Sequence, residues 1–271
     1  MGQQQPWQLT GNSPEQYEHY QVATLFGPLA HRFLSTMNLQ AGERMLDVAC
    51  GTGIVARLAA PQLGVTGRVT GVDLNPGMLA VATEHVPTSG APIDWREGDA
   101  RALPCADTSY DVVLCQQGLQ FFADPSQALR EMHRVLRPGG RLGLCVWTCI
   151  EHTPFNYAVY TAVARLLGTE AAARLLAPFA LGDLTALRTL ITAAGFRDVE
   201  LQVQSITRRM AAPDVAIPGY LASTPLAQTM AALDEGVHLA LVHEISDALQ
   251  IYRDCDGLSV PSETAIARAQ K

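Results

Sequence analysis

Between residues 44 and 147 short apolar runs alternate with stretches of helical spacing. RMLDVAC (44–50), RVTGVDL (68–74), PIDWREGDA (92–100), SYDVVLCQQ (109–117) and RLGLCVW (141–147) read as strands. GIVARLAAPQL (53–63) has Ile54, Leu58 and Leu63 at helical intervals. NPGMLAVATEHV (75–86) opens on Asn75 and Pro76, and DPSQALREMHRVL (124–136) on Asp124 and Pro125, each a good N-cap followed by proline at the first helical position. RPGG (137–140) reads as a turn before the fifth strand. Strands separated by helices predict βαβ units and a parallel sheet.

The flanks have another rhythm. Residues 1–40 hold one or two helices, including FGPLAHRFLSTMNL (26–39). Helical patterns fill 154–194 and 214–253, a strand is expected over 198–209, and VPSETAIARA (260–269) is the candidate for the last strand. The expected organisation is an N-terminal helical lid segment (1–40), a core (41–150) and a remainder (151–271). Helical lid insertions are expected at 151–195 and 211–253, with closing strands at 198–209 and 260–269.

Composition narrows the classes. With 48% hydrophobic residues the chain can bury a sizeable core, and 271 residues suit one large domain or one with an insertion. The net charge of −7, with no cluster of basic residues, argues against a nucleic-acid surface. Of six cysteines, four sit in apolar runs and none forms a CxxC pair, so no metal is called for. The start lacks a secretory pattern and no apolar run reaches membrane-span length, so a reduced cytoplasm is the simplest reading.

The candidate chemistry begins at LDVACGTG (46–53). Gly51, Gly53 and Ala56 fit the GxGxxA form of a dinucleotide-binding turn. Asp47 fits that reading poorly, because a carboxylate beside a pyrophosphate repels it. A cationic ligand has use for the acid.

Asp47-Val48-Ala49-Cys50-Gly51-Thr52-Gly53 resembles the acid-x-G-x-G-x-G first motif of class I S-adenosylmethionine (SAM)-dependent methyltransferases, with Ala49 in place of the first glycine. The likeness covers roughly 15–205 and is greatest to the group containing the ubiquinone- and menaquinone-biosynthesis enzymes. It implies an α/β, Rossmann-like doubly wound sheet of seven strands with the last antiparallel, and SAM as cofactor. In that frame the turn holds the methionine end of SAM, and Ala49 is a small-for-small replacement that alters little. Asp73 takes the ribose hydroxyls, with Leu74 and Met78 near the adenine. Asp99 accepts from the adenine amino group and Ala100 donates from its backbone. Tyr17 and Tyr20, three residues apart on one helix face, close over the cofactor or pack that helix on the core.

Gln116 and Gln117, at a strand's C-terminal end, are placed to contact the methionine moiety or the acceptor. Trp147 and Tyr157 are candidate walls of the acceptor pocket. His152, just after the fifth strand, is a candidate general base or a loop histidine. The apolar lid, with Phe155, Leu175, Phe179 and Leu221, suits a small, partly hydrophobic acceptor methylated on O or C rather than N, and is compatible with a homodimer. The alternatives are a non-catalytic binding protein on the same fold and an NAD-dependent oxidoreductase.

Overall fold

The computed structural model describes residues 13–224 and 226–271. Its centre is one mixed sheet. In chain order the strands are β1 (Arg44–Val48), β2 (Arg68–Asp73), β3 (Ile93–Glu97), β4 (Tyr110–Gln116), β5 (Leu136–Trp147), β6 (Arg197–Met210), the two-residue β7 (Arg253–Asp254) and β8 (Gly257–Gln270). Across the sheet they follow the order β3-β2-β1-β4-β5-β8-β6, with β7 paired to β8 as an eighth. β1 to β5 are parallel to one another, whereas β8 runs antiparallel between β5 and β6. The expected antiparallel last strand is present, three residues longer at its start than the sequence pattern suggests.

β1 and β4 are buried along nearly their whole length, which is why they read as continuous apolar runs. Alternation along β1 divides the core in two. Leu46 and Val48 join the cluster that contains Leu129 and Met132 of helix Pro125–Val135. Met45 joins the one that contains Val55 and Ala59 of helix Ile54–Leu63. Asp47 shares the parity of Met45, so its side chain points toward that second helix.

Three expectations change here. The RPGG segment lies inside β5 as an irregularity: the register with β4 passes from Tyr110–Leu136 to Val112–Arg141, so residues 137–140 loop out of the ladder. Helix Leu184–Ala193, expected within the lid, buries Leu187 and Ile191 in the sheet core, because the crossover from β5 to β6 needs a helix to cover the sheet face. The N-terminal segment is helical from Ser13 onward, residues 1–12 of the expected lid segment lying outside the described residues, but Tyr17–Phe26 is wound as a π-helix running into the α-helix Gly27–Ser35. Pro28 accounts for the widening, since it cannot donate a hydrogen bond and its ring crowds the carbonyl four residues back.

The remaining lid is a helical layer of its own. Helices Pro154–Leu167, Pro213–Ala222 and Glu235–Ala248 bury Phe155, Val159, Ile217, Leu221, Leu241 and Ile245 against one another and against Val260 of β8. No single helix among the described residues is long and apolar enough to cross a membrane.

Candidate functional site

The strand order reverses direction between β1 and β4, the place where a doubly wound sheet opens a crevice at its carboxyl edge. A cavity of ≈ 270 Å³ lies there. The ends of β1, β2 and β4 floor it with Val48, Asp73 and Gln116; the π-helix contributes Tyr17, Gln21 and Phe26; the lid supplies Asn156, Leu175 and Tyr220.

The turn after β1 is built on left-handed backbone. Ala49, Gly51 and Gly53 have φ of 55°, 55° and 86°. Glycine takes this conformation freely, whereas an alanine there costs about 1–2 kcal/mol. Ala49 is therefore a strained replacement, not the neutral one expected. Asp73 braces the turn: its Oδ2 accepts from the Gly51 N–H at 2.8 Å and its Oδ1 from the Asn75 N–H at 2.8 Å. A carboxylate offers about four lone-pair sites, so acceptor capacity remains toward the cavity. Asn75 caps the next helix by accepting from the Gly77 N–H, as expected.

Gly53 does not line the cavity, and the reason for its small size is Trp95. A Cβ on Gly53 would lie 2.3 Å from the indole, and one on Gly71 would lie 2.4 Å from it. The ring needs both glycines bare. Nothing in the spacing of the motif signals this, because Trp95 comes from β3.

Asp47 also stands behind the turn. It is fully buried, and its Oδ2 accepts from the Ala56 N–H at 3.1 Å while Oδ1 has no partner. Burial pushes its carboxyl up to about 8, with the charge of Asp73 adding to the effect and the Ala56 hydrogen bond opposing it. An orphaned acid beneath a bare-backbone cradle fits a ligand that carries positive charge close to the turn. Asp73 is raised as well, chiefly by burial.

Farther along the floor, Leu74, Met78, Gly98, Asp99, Ala100 and Arg101 line the cavity. Asp99 is already paired, because the Arg101 guanidinium reaches its Oδ2 at 2.6 Å and the Arg101 N–H its Oδ1 at 2.8 Å. Arg101 holds that carboxyl below its ordinary range. The sequence reading missed Arg101, although its place two residues after Asp99 was visible.

Tyr17 stacks on Phe26 at 5.3 Å between ring centroids, and its ring lies 4.0 Å from where a Gly51 Cβ would stand. Glu18 fastens this helix to the core through Arg57 at 2.7 Å. Phe26 also packs against Trp147, which lines the cavity. Gln116 donates to the Phe26 carbonyl at 3.3 Å and leaves its buried Oε1 without a partner. Gln117 has φ of 57° and borders the cavity, but its amide is engaged with Thr264 at 3.2 Å and Gln120 at 2.8 Å.

Besides Asp47 and Gly53, three more expected site residues are not on the cavity wall. Tyr20 packs its ring on Gly219, whose Cβ would meet it at 2.8 Å. Tyr157 is 44% exposed, on the outer side of its helix. His152 is exposed and its Nδ1 pairs with Glu263 Oε1 at 2.7 Å. Of the apolar lid residues named from sequence, Leu175 reaches the cavity, while Phe155 and Leu221 are buried in the lid's own core.

The fold, the turn and the acids at the ends of β2 and β3 resemble those of class I SAM-dependent methyltransferases. Residues 46–144 match the family model described as a methyltransferase domain. The chain is 38% identical over 133 residues to demethylmenaquinone methyltransferase of Listeria welshimeri, covering 49% of this chain and 56% of that one. It is 39% identical over 128 residues to the Staphylococcus epidermidis enzyme of the same name, covering 47% and 52%. The chain thus spans little more than half the length of the curated relatives it matches. Among solved structures, phosphoethanolamine N-methyltransferase 2 of Haemonchus contortus superposes with a TM-score of 0.61 at 21% identity, covering 95% of this chain and 56% of that one. The YcgJ protein of Bacillus subtilis superposes with a TM-score of 0.57 at 19% identity, covering 89% and 97%. These two likenesses concern the fold.

Proposed function

We propose that the protein transfers the methyl group of SAM to a small, partly aromatic acceptor, on oxygen or carbon. The observation that carries this reading is the continuity of the cavity: a single space is lined by the Gly51–Asp73–Ala100 floor on one side and by the lid on the other. The relatives that match the core carry demethylmenaquinone methyltransferase as their name, which favours a quinol-like or phenolic acceptor ring.

Bound SAM supplies an activated methyl group on a sulfonium and leaves as S-adenosylhomocysteine. The chain's part is to hold and orient. The Asp73 oxygens accept from the ribose hydroxyls, and the Ala100 backbone faces the adenine. Tyr17 and Phe26 roof the cofactor half and keep water out. Trp147, Phe121, Phe122 and Pro178 set an acceptor ring against the reacting centre.

Among the described residues, the lid half of the cavity contains no histidine and no carboxylate. His152, turned outward onto Glu263, is poorly placed to take the acceptor's proton. We therefore assign the rate chiefly to positioning, which can supply most of the acceleration when the donor is already activated. An acidic phenol or enol then loses its proton to solvent. The nicotinamide alternative draws no support from the family match. A non-catalytic role is separated from this one by turnover. Purified protein with methyl-labelled SAM and a panel of hydroxylated naphthoquinols and phenols should label at least one acceptor. Tight S-adenosylhomocysteine binding with no transfer to any of them would favour the binding role.

A further inference from the structure

The cavity is electrically divided. Its carboxylates, Asp73 and Asp99, both lie in the cofactor half, where Arg101 pairs with Asp99 at 2.6 Å and leaves Asp73 unmatched by any cation among the described residues, with Asp47 buried behind them. The lid half is lined by Arg174, exposed at the mouth, which pairs with no carboxylate among the described residues. Directly behind its wall stands Arg208, 1% exposed and the bulkiest fully buried side chain described.

Arg208 projects from β6 into the junction of the π-helix and two lid helices. Its Nε donates to Thr24 Oγ1 at 3.3 Å and its Nη2 to Gln21 Oε1 at 3.3 Å. The guanidinium carbon lies 4.9 Å from the Phe155 ring centre and 5.2 Å from that of Tyr220. Nη1 has no partner, and no carboxylate among the described residues pairs with the group. A buried cation without a counter-ion is costly, and two aromatic faces offset only part of that cost. Two of its four neighbours, Gln21 and Tyr220, line the cavity, while Thr24 and Phe155 do not. Gln21 donates to Ser223 at 2.9 Å, and Tyr220 accepts from Asn156 at 2.8 Å; Gln21, Ser223, Tyr220 and Asn156 all line the lid half. A shell of neutral hydrogen-bonding groups thus faces the cavity with an uncompensated positive charge behind it, in a chain whose net charge is −7.

We propose that the acceptor carries a carboxylate, seated in the lid half against the Tyr220 hydroxyl and the Asn156 amide, since the Ser223 hydroxyl is spent on the Tyr220 carbonyl at 2.6 Å, and that Arg208 is the cation that selects it, with Arg174 at the mouth. The cavity would then match both ligands in charge, with acids beneath the cationic cofactor and arginines around the anionic acceptor. The proposal rests on the methyl-transfer reading, since it takes the lid half as the acceptor's side.

The test uses two probe pairs, 4-hydroxybenzoate and 6-hydroxy-2-naphthoate, each against its methyl ester, titrated calorimetrically into protein saturated with S-adenosylhomocysteine. Saturation is itself measured first, so failure of the cofactor reading is seen separately. For at least one pair the acid should bind ten or more times tighter than the ester, which keeps the phenol but loses the anion. In Arg208→Met the preference should fall below threefold with S-adenosylhomocysteine affinity kept. The ligand-free variant should melt no lower than the wild type, because an uncompensated charge has gone. Should that variant fail to fold, the exposed Arg174→Met must still reduce the preference at least twofold. Equal binding of acid and ester, no binding of either, or a preference unchanged in the variants would overturn the proposal.

Discussion

Removing the charge at Asp47 should flatten the pH dependence of stability. The carboxyl is sealed beneath the turn with one oxygen on the Ala56 N–H and the other unpaired. Its folded value stands at about 8 against an ordinary 3.8. A group raised in the folded state gives stability that is complete below its unfolded value and is lost as pH rises toward the folded one. From pH 5 to pH 7 the unfolded chain is ionised here and the folded chain is not. Each pH unit then costs about 1.4 kcal/mol, or about 2.7 kcal/mol across the interval. Asp47→Asn keeps an oxygen for the Ala56 N–H and cannot ionise. Urea unfolding of ligand-free wild type and variant at pH 5, 6 and 7 isolates the contribution, since the other raised carboxyl, Asp73, is present in both. The wild type should lose stability relative to the variant by about 2–3 kcal/mol over that range. Parallel pH profiles would show that Asp47 is ionised when the cofactor is absent. SAM binding should release close to one proton at pH 7 in the wild type and fewer in the variant, measured by calorimetry in buffers of differing ionisation enthalpy.

Three further outcomes follow from the same geometry. Gly53→Ala should cost about 2–5 kcal/mol, because its Cβ strikes the Trp95 indole from a left-handed backbone; chemical denaturation matching the wild type would mean that the ring is free to move aside. Ala49→Gly should stabilise the protein by about 0.5–1 kcal/mol, the relief of a left-handed alanine less glycine's greater unfolded freedom, read as a rise in melting temperature. His152→Ala should leave turnover within twofold, since its ring meets Glu263 outside the cavity; a tenfold loss of kcat with unchanged KM would restore it as the base.

Local rules carried the sheet. Asn75, Asp124 and Asp183 cap their helices where capping chemistry puts them, each accepting from the first-turn amides. The strands that are buried on both faces announced themselves as apolar runs. Gln116 was expected because a parallel sheet presents its strand ends to the ligand side, and Asp73 and Asp99 through the family resemblance; all three line the cavity. What stayed hidden depends on contacts between distant segments. Trp95 decides Gly53 from two strands away. Glu263, 111 residues from His152, draws that ring away from the cavity. Arg208 reads in sequence as an ordinary residue of an edge strand, and only the helices folded over it make it a buried cation. The π-helix at Tyr17–Phe26 had a visible signal in Pro28, but the choice between a kink and a widened turn depends on what the helix packs against.

The central claim is that SAM lies on the turn after β1 with its ribose on Asp73. The most direct measurement is calorimetric titration of S-adenosylhomocysteine into the wild type and Asp73→Ala, with circular dichroism confirming that both are folded. One site of micromolar dissociation constant, about −7 to −8 kcal/mol, is expected for the wild type. Loss of the charge-assisted hydrogen bonds should weaken the variant at least tenfold. No heat and no thermal shift in the wild type at millimolar ligand, or equal affinity in the two proteins, would contradict the account.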